Sequence, residues 1–315
     1  MRGRASRSGR LLALTVALAL AAACDSGTGG TADLTDLTDV APDVSDVADS
    51  TDVVDVVDVV DAVDAGPETP DANPETSDVA PDIVPTFPDP PAALGGDRPV
   101  SMELPAGYDP AVAAPLLILL HGYSASGLLQ DLYWGIGSYA ADHGILFMKP
   151  DGTVDAGGNH FWNATDYCCN FGGSKVDDVA YIRGLIDEAK TYYNVDADRI
   201  YLMGHSNGGF MSYRMACEAS DVIAGVVSLA GVTWMNPADC GAPSPVAVLH
   251  VHGTDDDTIF YDGDFNAPSA PETVQYWAEV AGCNSEAEND GPMDLLATDG
   301  NDTDVVRWSG CEAGA

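Results

Sequence analysis

The hydrophobic positions of this chain fall into three regimes. Residues 11–23 form an apolar run, broken only by Thr15, behind Arg2, Arg4, Arg7 and Arg10. That reads as the h-region of an export signal, too short to span a bilayer. From Asp25 to about Pro91 the apolar residues are mostly valines set between aspartates, with Asp at every third position from Asp43 to Asp64. A period of three fits neither a helix nor a strand, and like charges at that density keep a segment extended and solvated. This stretch is expected to be a disordered tether. From about Gly95 onward, short apolar runs alternate with stretches that are apolar at three- and four-residue spacing.

The runs predict strands at 116–120, 145–149, 199–204, 222–230, 246–251 and 305–308. Helices are expected at 128–143, 176–193, 210–218 and 271–281. In the stretch 176–193, Val179, Ile182, Ile186 and Ala189 mark one buried face. Such alternation is the signature of an α/β class with a mostly parallel sheet and helices on both faces. The expected organisation is a signal peptide (1–23), an acidic tether (24–94) and one α/β domain (95–315).

Charge narrows the chemistry. The 315 residues carry a formal net charge of −38, which leaves little to neutralise phosphates and argues against nucleic acid as a partner. Much of that acidity belongs to the tether. The tether lacks the alternating ligands, central Gly and terminal Glu of a calcium-binding loop, and the acidic run at 299–304 reads as a hairpin loop. His250 and His252 stand two apart on a strand with no third ligand nearby, which is not zinc grammar. No metal and no cofactor are expected.

The signal run ends Ala21-Ala22-Ala23-Cys24. This fits a small-residue cleavage site and also resembles a bacterial lipobox, with Ala21 where that motif prefers Leu. The chain has seven cysteines, at 24, 168, 169, 217, 240, 283 and 311. An exported protein rarely keeps a free thiol, so acylation of Cys24 would leave an even six. The preferred expectation is a lipoprotein at the bacterial cell surface or in the periplasm, held only by its N-terminal lipids; simple secretion is the alternative. A monomer is expected.

The chemistry-bearing motif is Gly204-His205-Ser206-Asn207-Gly208. It follows an apolar strand and opens a helix, the context of a nucleophile elbow, so Ser206 is the candidate nucleophile. His121-Gly122-Tyr123 ends the first strong strand. The backbone N–H groups of Tyr123 and Asn207 are the candidate oxyanion donors. Asp256, in His252-Gly253-Thr254-Asp255-Asp256-Asp257, follows a later strand in the order Ser then Asp and would orient an imidazole base. Trp134, Trp162 and Tyr167 read equally as acyl-pocket lining and as core packing.

These motifs, with Phe161-Trp162-Asn163-Ala164, Cys168-Cys169 and Val176-Asp177-Asp178-Val179 between them, occur in one order. From about Pro99 to Cys311 the chain resembles the polyhydroxybutyrate-depolymerase and feruloyl-esterase group of secreted α/β hydrolases. The resemblance implies an α/β-hydrolase fold and a Ser-His-Asp acyl-enzyme mechanism on ester substrates, some polymeric, and it selects Asp256 among the three aspartates. Together with loop length it pairs Cys217 with Cys240 and Cys283 with Cys311, leaving Cys168 and Cys169 as a vicinal bridge; sequence alone permits fifteen pairings.

The departure is the base. In that group the catalytic His follows the position of Cys311, whereas the histidines here are 121, 143, 160, 205, 250 and 252. The preferred expectation is a fragment of a longer gene; the alternative is a non-catalytic surface or binding relative.

Overall fold

The computed structural model describes residues 85–294, 300 and 302–312. The signal peptide, Cys24 and the acidic tract as far as residue 84 lie outside the described residues. Leu94, assigned by its position to the end of the tether, is buried and forms an antiparallel bridge with Val100.

A five-stranded parallel sheet carries the domain, in the order β2-β1-β5-β6-β7. Its strands are β1 (Ala114–Leu120), β2 (Leu146–Met148), β5 (Val195–His205), β6 (Gly225–Leu229) and β7 (Ala247–Val251). Along β1, Leu116, Ile118 and Leu120 point into one core cluster, while Leu117 and Leu119 point into another. Both faces of β1, β2 and β6 are covered, which is why they read as continuous apolar runs rather than alternating ones, while the edge strand β7 is half-exposed. The first cluster is closed by α3 (Asp178–Tyr192), α4 (Asn207–Glu218) and α5 (Ala270–Val280). The second lies under α1 (Gly127–Trp134) and α2 (Ile136–Asp142).

The helices begin where the sequence supplies caps. Ser126 accepts from the Leu129 N–H on α1, and Asp177 accepts from the Ala180 N–H on α3. Ser269 and Glu272 form a reciprocal capping box on α5. In α3 the expected face of Val179, Ile182, Ile186 and Ala189 is buried, together with Leu185. Asp178 is also fully buried; it pairs with Arg98 at 2.6 Å and accepts from the Asn163 N–H at 2.7 Å.

Two expectations are corrected. The single helix at 128–143 is two helices, because Gly135 takes the left-handed conformation (φ 67°), capping α1 and starting α2. The Asp131 side chain fixes that corner, accepting from the Gly137 N–H and pairing with Lys149. The strand at 305–308 exists as β9 (Thr303–Arg307), but it does not extend the parallel sheet. It pairs antiparallel with β8 (Glu288–Met293), and their side chains are exposed or half-exposed. Arg307 reaches Asp290 across this hairpin, and Cys283–Cys311 ties its two ends together. A second small hairpin, β3 (Thr153–Val154) with β4 (His160–Phe161), has no helix-or-strand periodicity to announce it.

Candidate active site

The C-terminal edge of the parallel sheet gathers the candidate residues. Ser206 sits between β5 and α4 at φ 49°, ψ −119°, a conformation rare for a residue with a Cβ and costing about 1–3 kcal/mol. Its N–H donates to Leu229 O of β6, and its carbonyl accepts from the Phe210 N–H. Packing leaves this turn no alternative. A Cβ at Gly204 would stand 2.1 Å from Gly208 O; one at Gly208 would stand 2.1 Å from Leu120 O. The glycines of the motif therefore let strand, turn and helix approach each other, and the serine absorbs the strain.

The oxyanion candidates are placed by their neighbours. Asn207 is fully buried; its side chain accepts from the Trp162 N–H at 2.7 Å and donates to the Trp162 carbonyl at 3.0 Å. That pins the start of α4 to the loop after β4. Gly122 N–H donates to Gln130 Oε1 at 3.2 Å, which holds the neighbouring segment. The backbone N–H groups of Tyr123 and Asn207 have no acceptor among the described residues. The helix start adds its positive dipole end there. The Tyr123 hydroxyl donates to Asp155 at 2.6 Å; chiefly for that reason the Asp155 carboxyl is held down to about 2.

Asp256 lies just past the end of β7, two strands from β5 in the sheet. At the usual interstrand spacing the two strand ends are about 10 Å apart. Oδ1 of Asp256 accepts from the N–H groups of Thr258 and Ile259, both at 2.9 Å. Asp255 and Asp257 are not so held: Asp257 accepts only from the Thr258 hydroxyl.

None of the six histidines hydrogen-bonds Ser206 among the described residues. His121 is fully buried, with Gly152 N–H donating to its Nε2 and its Nδ1 donating to Gly122 O. Both nitrogens are used, and burial lowers its pKa. His160 gives its Nδ1 hydrogen to Gly152 O. His143 stacks on Tyr139 at the end of α2. His205 packs near the rings of Tyr133 and Trp134; burial lowers its pKa and the Asp256 charge partly offsets this. His250 and His252 bond to each other at 3.2 Å.

Trp162 is core: it is fully buried and its indole N–H donates to His121 O. Trp134 is buried beside His205. Tyr167 is half-buried, stacked on Phe210 and donating to Asp264. With Arg214, Trp234 and the bonded pair Cys168–Cys169, it lines a cleft of about 410 Å³. Cys217 is bonded to Cys240. Sequence reasoning did not find the Asn207 grip on Trp162 or the Gln130 brace, since neither residue type at those positions signals a long-range partner.

The sequence profile of the Phospholipase/Carboxylesterase family matches residues 175–269, the span that holds both Ser206 and Asp256. The chain has an α/β-hydrolase fold. It is 28% identical over 207 residues to feruloyl esterase B of Piromyces equi, covering 62% of this chain and 38% of that protein. It is 27% identical over 210 residues to the bifunctional acetylxylan esterase/xylanase XynS20E of Neocallimastix patriciarum, covering 64% and 29%. It is 31% identical over 124 residues to the poly(3-hydroxybutyrate) depolymerase of Ralstonia pickettii, covering 37% and 25%. The chain thus spans well under half the length of each of these relatives.

Proposed function

We propose that this protein of α/β-hydrolase fold is an exported serine carboxylesterase acting on polyester or polysaccharide-linked esters. The observation that carries the reading is Ser206, held strained at φ 49° at a glycine-flanked strand–helix junction, while the N–H groups of Tyr123 and Asn207 have no acceptor among the described residues. In this reading Ser206 Oγ attacks the ester carbonyl and an imidazole base takes its proton. Asp256 orients that base, and the N–H groups of Tyr123 and Asn207 receive the negative oxygen. The alcohol leaves with the proton, and water then releases the acyl group by the same steps. None of the six histidines hydrogen-bonds Ser206 among the described residues, so this reading leaves the base unassigned.

Imidazole in solution is the direct test. Residues 24–315 should hydrolyse a p-nitrophenyl ester no faster than a Ser206→Ala control without it. Added imidazole should produce turnover that Ser206→Ala and Asp256→Asn both diminish. Equal rates for the wild-type and Ser206→Ala chains at every imidazole concentration would refute the reading. Methyl ferulate, acetylated xylan and hydroxybutyrate oligomers, compared under the same conditions, then separate the substrate classes named for the relatives. For location, we propose that Cys24 carries lipid. Fatty-acid labelling of the full chain should exceed that of Cys24→Ser, and equal labelling removes the anchor from the account.

A further inference from the structure

A chain of polar side chains runs beneath the acid turn, and the mechanism above does not use it. His250 on β7 and His252 just beyond it lie between Tyr213 of α4 and the turn at 256–259. Tyr213 Oη is 2.9 Å from His250 Nδ1, His250 Nε2 is 3.2 Å from His252 Nδ1, and His252 Nε2 is 2.6 Å from the Ile259 carbonyl oxygen. The Ile259 carbonyl can only accept, so His252 Nε2 carries a hydrogen. One hydrogen lies between the two rings. With both rings neutral, every donor points the same way: Tyr213 O–H to His250, His250 Nε2–H to His252, His252 Nε2–H to Ile259. Burial and the neighbouring His252 ring push the His250 pKa down to about 3, which fits a neutral ring at that point.

The last link reaches the acid. Ile259 is held from below through its carbonyl, and its own N–H donates to Asp256 Oδ1. Asp256 Oδ2 lies 3.7 Å from His252 Nε2, beyond hydrogen-bond range, so the carboxylate is gripped through Oδ1 and the Ile259 peptide rather than by the ring directly. The His252 side chain is 1% exposed, so the grip is made in the interior, where a satisfied hydrogen-bond network is rigid.

We propose that Tyr213, His250 and His252 are positioning residues for Asp256, a relay that sets the direction of its carboxylate by clamping the Ile259 peptide between the core and the acid. This rests on Asp256 being the orienting acid. The relay touches no reacting atom; it acts by geometry alone, and small misplacements of a catalytic group are costly.

The test compares the unmutated chain with His252→Phe, which removes the donor to Ile259, and His252→Gln, which keeps an N–H donor at that reach. Amide hydrogen exchange at Thr258 and Ile259 should speed up about tenfold in His252→Phe and stay close to the original in His252→Gln. Imidazole-assisted kcat should fall about tenfold in His252→Phe with KM for the ester unchanged, and recover in His252→Gln. If His252→Phe does not fold, Tyr213→Phe removes a single hydroxyl at the far end of the relay. Ring ¹⁵N shifts should then show His250 losing its single tautomer. Unchanged exchange at 258 and 259 in folded His252→Phe, equal losses in the Phe and Gln variants, or an unaltered His250 ring in Tyr213→Phe would each overturn the relay. Absence of imidazole-assisted turnover in the unmutated chain would strike the Ser206 assignment instead, and the exchange rates would still decide the relay.

Discussion

Replacing Ser206 by glycine should make the protein more stable than replacing it by alanine. Both substitutions delete the hydroxyl, so their difference isolates the backbone. At φ 49°, ψ −119° alanine retains the Cβ clash and with it a cost of about 1–3 kcal/mol, whereas glycine occupies this region without strain. Against that, glycine gives the unfolded chain more freedom, which offsets about 0.4–1 kcal/mol. The net expectation is about 1 kcal/mol in favour of Ser206→Gly, since the strain relieved exceeds the entropy lost. For a domain of this size that corresponds to a melting midpoint about 2–4 °C higher. The assay is urea unfolding of the two variants at one pH, checked by calorimetry, with equal m-values confirming that the unfolded states match. An alanine variant as stable as the glycine variant, or more so, would mean that the turn is not strained in solution and that the reasoning fails.

Two further predictions concern packing and acid. Gly208→Ala should fail to give folded protein, or melt many degrees lower, because its Cβ would stand 2.1 Å from Leu120 O and backbone on both sides must move; a melting point within a degree of the original would refute this. His121, His205 and His250 all have pKa values lowered mainly by burial. Below about pH 6.5 the unfolded chain therefore binds protons that the folded chain does not, and stability is lost as pH falls from there toward the folded values. With His250 at about 3, that residue alone accounts for about 2 kcal/mol between pH 6.5 and 5. Urea unfolding at those two pH values should show a shallower loss in His250→Gln, and an identical loss in both proteins would contradict the assignment.

Most of the sheet was legible because its strands are buried on both faces: Leu116–Leu120 and Ile200–Met203 admit almost no polar residue. The elbow was legible for a different reason, since few sequences other than Gly-x-Ser-x-Gly tolerate contacts as close as those at Gly204 and Gly208. What escaped was decided by single residues acting at a distance. Gly135 and Asp131 break a helix whose apolar spacing runs on without interruption. β9 carries two adjacent valines, as a core strand would, yet its partner is the polar strand Glu288–Met293, a choice set by the hairpin and its ties rather than by hydrophobicity. Within the candidate site, the Ser206 elbow could be read from a local motif, whereas the resemblance, not the local pattern, selected Asp256 among three aspartates. The relay under Asp256 could not be read, because a Tyr and two His separated by 37 and 39 residues carry no shared pattern.

The bond between Cys283 and Cys311 gives the terminal hairpin a property that bears on handling the protein. Both of its strands hang from one covalent knot, and Asn284 and Glu312 bond to backbone on either side of it. A protease that cuts the connection between Met293 and Thr303 would open the chain without releasing a piece. On a non-reducing gel such a nicked molecule migrates as intact, and only a reductant reveals the break. Preparations judged homogeneous under oxidising conditions would thus conceal a cleaved population that retains Ser206, Asp256 and the whole parallel sheet.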